Sequence, residues 1–518
     1  MQAQTYWLAD KIRQVQSGSP DVTVAIIITK EQVKSASAES FLGHLYKSKD
    51  FRQDLNLSSS AWFYHPETLR RILVVQINDG KEKKDARQGG AKAAQDLMAC
   101  KLDICHVIVS DEVKSEHIGI LANSFYLTNF EFSYKTDPKS RFGAEAIAEG
   151  VFEEDKDPRK EKFTKKIAHV VISTMDSENV FCDPKYAFWI AAARGAEFCR
   201  NVANVRGSTA TPDYMEEVVR KLIEGKPQIK DFRVVKGQQL VDLNMNLLHA
   251  VGKSATSEPR CITVYYNGNP DKDTVDVSFI GKGVTFDTGG LHLKPSGGIE
   301  LMYLDKGGAC SVLGALHGAL ELGIKLNVVF AFGLAENSID GASYKPMDIL
   351  TSMKGYTVEI DNTDCEGRLI LADMFTYVHK EFKPAKIVDL ATLTGAVVMA
   401  LGMEYAGLFS NDDDFANEIT QTGQQVFEKY WRLPIPDESR EQTISPTADL
   451  VNSFRTPFAG ASRAAAFLEK FVEKGVKWVH LDIAGAFGGD RPKPPNCAGG
   501  NGFGTHTLLQ YLWNNQAQ

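Results

Sequence analysis

The chain has 518 residues, 43% of them hydrophobic and 24% charged, which is ordinary for a globular protein with material for a large core. At roughly 100–200 residues per domain, two or three domains are expected. A formal net charge of -8 excludes a global basic field that would gather nucleic acid or anionic lipid, while leaving room for a local patch of either sign.

The first residues, Met1 to Trp7, lack a basic stretch followed by an apolar one, and no run of about 18 apolar residues occurs in the chain. A soluble protein without a secretory signal is expected. Up to about residue 180, strand-like and helix-like stretches alternate. Val22 to Ile28, Ile72 to Ile77 and His106 to Val109 read as buried strands, and Ala91 to Met98 as helix. Phe152 to Lys162 is a mixed charge run, expected to be a solvated loop or hairpin tip. His169 to Ser173 closes this α/β module.

Tyr186 to Asn204 is an Ala-rich, periodically apolar helix leading into a second module. Thr211-Pro212-Asp213 fits the start of the next helix, with proline at its first position. Further strands are expected at Cys261–Tyr266, Val275–Ile280, Asn327–Phe332, Lys386–Leu390 and Trp478–Asp482, with helix between several of them, as at Ala309–Leu322. The pattern predicts two α/β domains, 1–182 and 183–518. The second would have a mostly parallel central sheet flanked by helices. The eight cysteines form no CxxC pair, so reduced thiols in a cytoplasmic compartment are expected, not a zinc finger or a disulfide scaffold.

Three polar clusters follow strand-like runs. They are Gly281 to Pro295, Met302 to Gly308 and Glu359 to Arg368. They bring four carboxylates (Asp287, Asp305, Asp364, Glu366) and three cations (Lys282, Lys294, Arg368) into glycine-rich loops, where ligands of parallel sheets sit. Asp364 and Glu366 are two apart, so an extended segment would turn both the same way. Like charges placed side by side are costly unless a cation lies between them, and a pair of divalent ions does that while activating a water. Any one of these aspartates alone would more commonly be a turn residue; the joint pattern carries the reading. There is no HExxH helix and no Gly-x-Ser-x-Gly elbow. Gly252-Lys253-Ser254 is not a phosphate loop, because position 247 is Leu. His292 reads as a structural histidine more than a ligand.

These clusters resemble the leucyl aminopeptidase family of two-metal exopeptidases, peptidase family M17. The resemblance takes in Asn201 to Pro212, Gly252 to Arg260, the three clusters, Asp389 to Ala396, Ala448-Asp449, Asn452, Gly460 to Phe467, and Trp478 with Asp482 to Gly485. It implies a cytoplasmic homohexamer that removes N-terminal residues, Leu and other apolar ones preferred, from peptides with a free N-terminus. Lys282, Asp287, Asp305 and Glu366 would hold one metal. Asp287, Asp364 and Glu366 would hold a second, more exchangeable one, with Asp364 also giving its backbone carbonyl. The ions would be Zn or Mn, with Mg or Co as alternatives. Lys294 and Arg368 would be the catalytic cations, with a bicarbonate ion on Arg368. Met302, Thr392, Leu393 and Gly395 would bind substrate. A dipeptidase-like specificity, for example toward Cys-Gly, is the nearest alternative. A DNA-binding role, known for some members, is not expected from the acidic total. Membrane association is not expected either. Three residues depart from the family pattern. Cys365 stands where Ala is usual and is expected to face away from the site. Lys306 stands where Met is usual, with a change in pocket charge expected. Ile444 stands where Lys is common.

Overall fold

The computed structural model describes residues 11, 14–15, 22–35, 48–64, 71–78, 82–132, 166–489 and 493–516. The charge run from Phe152 to Lys162 lies outside them. The chain divides into two compact units, Met1–Ala193 with Lys493–Cys497, and Arg194–Pro492 with Ala498–Gln518. The division falls within the Ala-rich helix Ala187–Ala203.

The first unit contains β1 (Thr23–Thr29), β2 (Ser60–Tyr64), β3 (Arg71–Ile77), β4 (Ile104–Val109) and β5 (His169–Ser173). They form one sheet in the order β2-β3-β1-β4-β5. All pairs are parallel except β2 with β3. The central strand β1 is apolar throughout Val24–Ile28 and fully buried there, as expected of a parallel strand covered on both faces. The expected helix is longer than its alanine run and spans Lys83–Ala99.

The second unit contains β6 (Ile229–Lys236), β7 (Arg260–Asn267), β8 (Val277–Asp287), β9 (Asn327–Asn337), β10 (Ile349–Thr351), β11 (Thr357–Glu359), β12 (Lys386–Ala391), β13 (Ala406–Ser410), β14 (Tyr430–Arg432), β15 (Leu450–Val451) and β16 (Lys477–Asp482). Eight of them form a sheet in the order β14-β13-β16-β12-β8-β9-β7-β6. The four at its centre, β16, β12, β8 and β9, are mutually parallel. Antiparallel pairings begin outside them, at β13 on one side and at β7 and β6 on the other. Strands β10, β11 and β15 make a separate small sheet. The helices Gly307–Leu322 and Gly367–Phe382 pack on β8. Thr211 caps the helix Pro212–Ile223 by accepting from the Tyr214 N–H, with proline at the expected position.

The centre of the sheet positions everything that follows. Strands β12 and β16 end level with each other, at Ala391 and Asp482, beside the Gly281–Lys282 stretch of β8, while β8 and β9 run on together to the pair Asp287 and Asn337. The expectation that all three polar clusters are loops after central strands needs correcting. Strand β8 runs on for 11 residues, so Lys282 lies inside the strand and Asp287 is its last residue. The third cluster follows β11 of the small sheet.

Candidate active site

Close backbone packing brings the second cluster onto the first. The helix Gly307–Leu322 starts directly beside β8 and β12. A Cβ on Gly308 would lie 1.9 Å from the Leu390 carbonyl oxygen and 3.0 Å from the Lys282 nitrogen, so only glycine permits this approach. Asp305, just before that helix, therefore meets the Lys282 side chain. The third cluster arrives in the same way. Glu366 precedes the helix Gly367–Phe382, and a Cβ on Gly367 would lie 2.6 Å from Lys282 Cε.

Lys282 is the hub. Its ammonium lies 2.7 Å from Asp305 Oδ2 and 2.9 Å from Glu366 Oε1, and it donates to the Thr392 carbonyl at 2.9 Å. The Thr392 hydroxyl donates to Asp305 Oδ1 at 2.7 Å. Lys294 forms a second bridge, to Asp287 Oδ2 at 2.8 Å and to Asp364 Oδ1. Asp287 Oδ1 also accepts from the Gly289 N–H and the Asn337 amide, at 2.9 and 2.8 Å. Asn337, which the sequence reading did not single out, donates to the Thr363 carbonyl as well.

Asn452 holds the third cluster in shape. Its side-chain oxygen accepts from the Asp361 and Asn362 N–H groups, and its amide donates to the Asn362 carbonyl at 2.7 Å. The segment is a turn that enters a helix, so it is not extended, and strand alternation does not govern it. Cys365 accordingly contributes to the wall of the site cavity, contrary to the expectation that it faces away. Lys306 differs from expectation in the other direction. It is fully buried and donates to the carbonyls of Val205 and Tyr303, away from the cavity lining. Burial pulls its pKa down to about 8. Ile444 is exposed, and nothing in the structure explains it. His292 packs its Nδ1 on Thr363 and does not join the carboxylates.

The carboxylates crowd one another. Asp287, Asp364 and Glu366 each bring an oxygen within 4.8 Å of the others. Burial, and then the neighbouring acids against the opposing pull of Lys282, push Asp305 up to about 8. Burial and then Asp287 raise Asp364 and Glu366. Burial alone would lower Lys282 and Lys294, but the surrounding carboxylates outweigh it and raise both. Glu366 Oε2 is buried without a hydrogen-bond partner. Acids held above their usual range, with an orphaned oxygen among them, are what a site for divalent cations looks like before the ion's charge is counted. The oxygen-rich donor set fits hard or borderline ions.

A cavity of about 590 Å³ opens over this cluster. Every site residue expected from the sequence lines it: Lys282, Asp287, Lys294, Met302, Asp305, Asp364, Glu366, Arg368, Thr392, Leu393 and Gly395. Leu301, Val398, Met403 and Phe487 add apolar wall. Asp482, at the end of β16, accepts from the Leu393 N–H and the Thr394 hydroxyl, at 3.1 and 2.6 Å, and so fixes the loop after β12.

Residues 197–509 match the family model described as "Cytosol aminopeptidase family, catalytic domain". The chain belongs to that family. It is an aminopeptidase, an enzyme that hydrolyses peptide bonds. A probable cytosol aminopeptidase of Acinetobacter baylyi is 35% identical to it over 468 residues, covering 89% of this chain and 90% of the relative. Among solved structures, the bottromycin maturation enzyme BotP in complex with Mn superposes with a TM-score of 0.78 at 27% identity, covering 95% of this chain and 99% of that one. A variant of tomato leucine aminopeptidase superposes with a TM-score of 0.78 at 26% identity, covering 96% and 94%. Among the described residues, no helix of the aminopeptidase is long and apolar enough to cross a membrane.

Proposed function

We propose that the aminopeptidase is a two-metal enzyme of leucyl aminopeptidase type, removing Leu and other apolar N-terminal residues from peptides. The convergence of Asp287, Asp364 and Glu366 around the two lysines carries this reading. Lys282, Asp287, Asp305 and Glu366 would hold one ion and Asp287, Asp364 and Glu366 the other, as Zn or Mn, with Mg or Co as alternatives. The presence of Mn in BotP supports an ion of this class. When bound, such a pair polarises the scissile carbonyl and lowers the pKa of a water.

The residues of the chain do the rest. Lys282 contributes as a ligand only in its neutral form, and lowering its pKa from about 10.4 to about 7 costs roughly 4–5 kcal/mol, which adjacent dications repay. Lys294, released from Asp287 and Asp364 when ions neutralise them, is free to donate to the developing oxyanion. The free α-amino group of a substrate would bind to one of the two ions through its neutral nitrogen, which would account for action at chain ends. Leu393 offers its carbonyl to the peptide, while Met302, Thr392 and Gly395 border the side-chain pocket. Among the lining side chains, none is an uncommitted general base. Arg368 lies 7% exposed, donates to the Asn452 carbonyl at 2.7 Å, and leaves its buried Nε without a partner. It would hold a bicarbonate ion, a weak base suited to accept the proton. The working form proposed is a cytoplasmic homohexamer, in keeping with the family.

A panel of leucine amide, other aminoacyl amides and N-acetyl-leucine amide tests the reading. Cleavage of the free-amine apolar substrates, with none of the acetylated one, is expected. Equal cleavage of the blocked substrate would overturn it.

A further inference from the structure

Two guanidinium groups line the active-site cavity, and the reaction as described uses one. Arg463 is 8% exposed and stands in the first turn of the helix Gly460–Glu469. Its Nη2 donates to the Thr456 carbonyl at 2.8 Å and its Nη1 to the Gln442 side chain at 3.4 Å. Among the described residues, neither Arg463 nor Arg368 pairs with a carboxylate. The acids of the cavity are taken up by Lys282 and Lys294. A nearly buried cation without a counter-charge is costly, so such a group in a ligand cavity points to an anion that arrives with the ligand.

Two further features agree. Burial, and then the nearby Arg368 charge, draw the Arg463 guanidinium below its usual range, so the two cations share one stretch of wall. Each also lies in the first turn of a helix whose N-terminus has no side-chain cap, where the helix dipole adds positive potential. Arg368 alone would suffice for bicarbonate. The second cation calls for a second anion.

We propose that Arg463 recognises the C-terminal carboxylate of a dipeptide or tripeptide, making short peptides the favoured substrates of this site. The inference rests on the aminopeptidase reading above. A residue spans at most about 3.3–3.6 Å, so the carboxylate of a dipeptide lies within one residue of the scissile nitrogen, inside a cavity of this size. A planar fork suits a carboxylate and is not reproduced by lysine.

The test compares Leu-Gly and Leu-Gly-Gly with their C-terminal amides on the metal-loaded full chain, in the wild type, Arg463→Gln and Arg463→Lys. The expected result is that the acid-over-amide ratio of kcat/KM, high in the wild type, falls about tenfold or more in Arg463→Gln, mainly through KM, and less in Arg463→Lys. An unchanged ratio in Arg463→Gln would overturn the proposal, including the case where both rates fall together and added bicarbonate restores them. If no variant cleaves either substrate, the aminopeptidase reading fails separately. Calorimetric binding of Leu-Gly against Leu-Gly amide then decides the role of Arg463 by the same ratio.

Discussion

The ammonium of Lys282 lies 2.8 and 2.7 Å from the two oxygens of Asp305, a bidentate contact made from the middle of a strand to the turn before a helix. In this arrangement the lysine stands among the acids as their counter-ion. A metal in the same place would replace that charge and take the lysine as a neutral ligand.

Replacing Lys282 should therefore weaken metal binding more than any change in an outlying acid. Lys282→Ala is expected to lose one ion, with affinity reduced by more than the roughly 10–100-fold seen when an outer partner of a ligand is removed. Asp449→Ala, which removes an exposed contact to Thr357, should keep both ions. Metal content after dialysis checks this, and equal content in the two variants would count against the ligand assignment.

Arg368 is assigned to the proton path. Arg368→Ala should lower kcat by about 10²–10⁴-fold, the range of a lost acid–base contribution, with little change in KM. Steady-state kinetics on leucine amide read this directly, and unchanged activity would remove the role.

Gly308 sets the approach of the helix that carries Asp305 to Lys282. A methyl group there would lie 1.9 Å from the Leu390 carbonyl oxygen. Gly308→Ala should cost about 1–3 kcal/mol of stability by overpacking, and should also lower metal content by separating Asp305 from Lys282. Urea unfolding together with metal analysis checks both effects.

His106 gives a pH signature that is independent of the site. Burial, and then Lys11, pull its pKa from the usual 6.5 to about 4, and its Nε2 hydrogen-bonds the Ser173 hydroxyl at 2.8 Å. Between those pH values the unfolded chain binds a proton that the folded chain does not. The contribution of His106 is therefore present in full above about pH 6.5 and is lost as pH falls toward 4, by at most about 3 kcal/mol. His106→Gln should flatten the urea midpoint's dependence on pH in that window, and an unaltered dependence would contradict the assignment.

Much of the site was legible because its chemistry is dense in sequence. Lys282, Asp287, Asp305, Asp364 and Glu366 occur in three short clusters, and all line one cavity. What escaped was geometry. Alternation along an extended chain turned Cys365 away from the site, but the chain turns at Thr363-Asp364 and Glu366 is already helical. Sequence adjacency to Asp305 suggested that Lys306 changes the pocket, yet the onset of the helix carries it inward to backbone carbonyls. Asn337 was passed over because it is uncharged and 50 residues from Asp287, and only the pairing of β8 with β9 joins them. Among the strands, β6 was missed because Ile229–Lys236 alternates with charge at the edge of its sheet, whereas the buried centre reads as plain apolar runs.

The central claim is that this cluster works with two divalent ions. Elemental analysis of the purified protein, paired with leucine amide hydrolysis before and after chelation, tests it most directly. The account predicts two ions per chain, loss of activity as they are removed, and recovery when Mn or Zn is returned. Full activity in protein stripped of metal would contradict it.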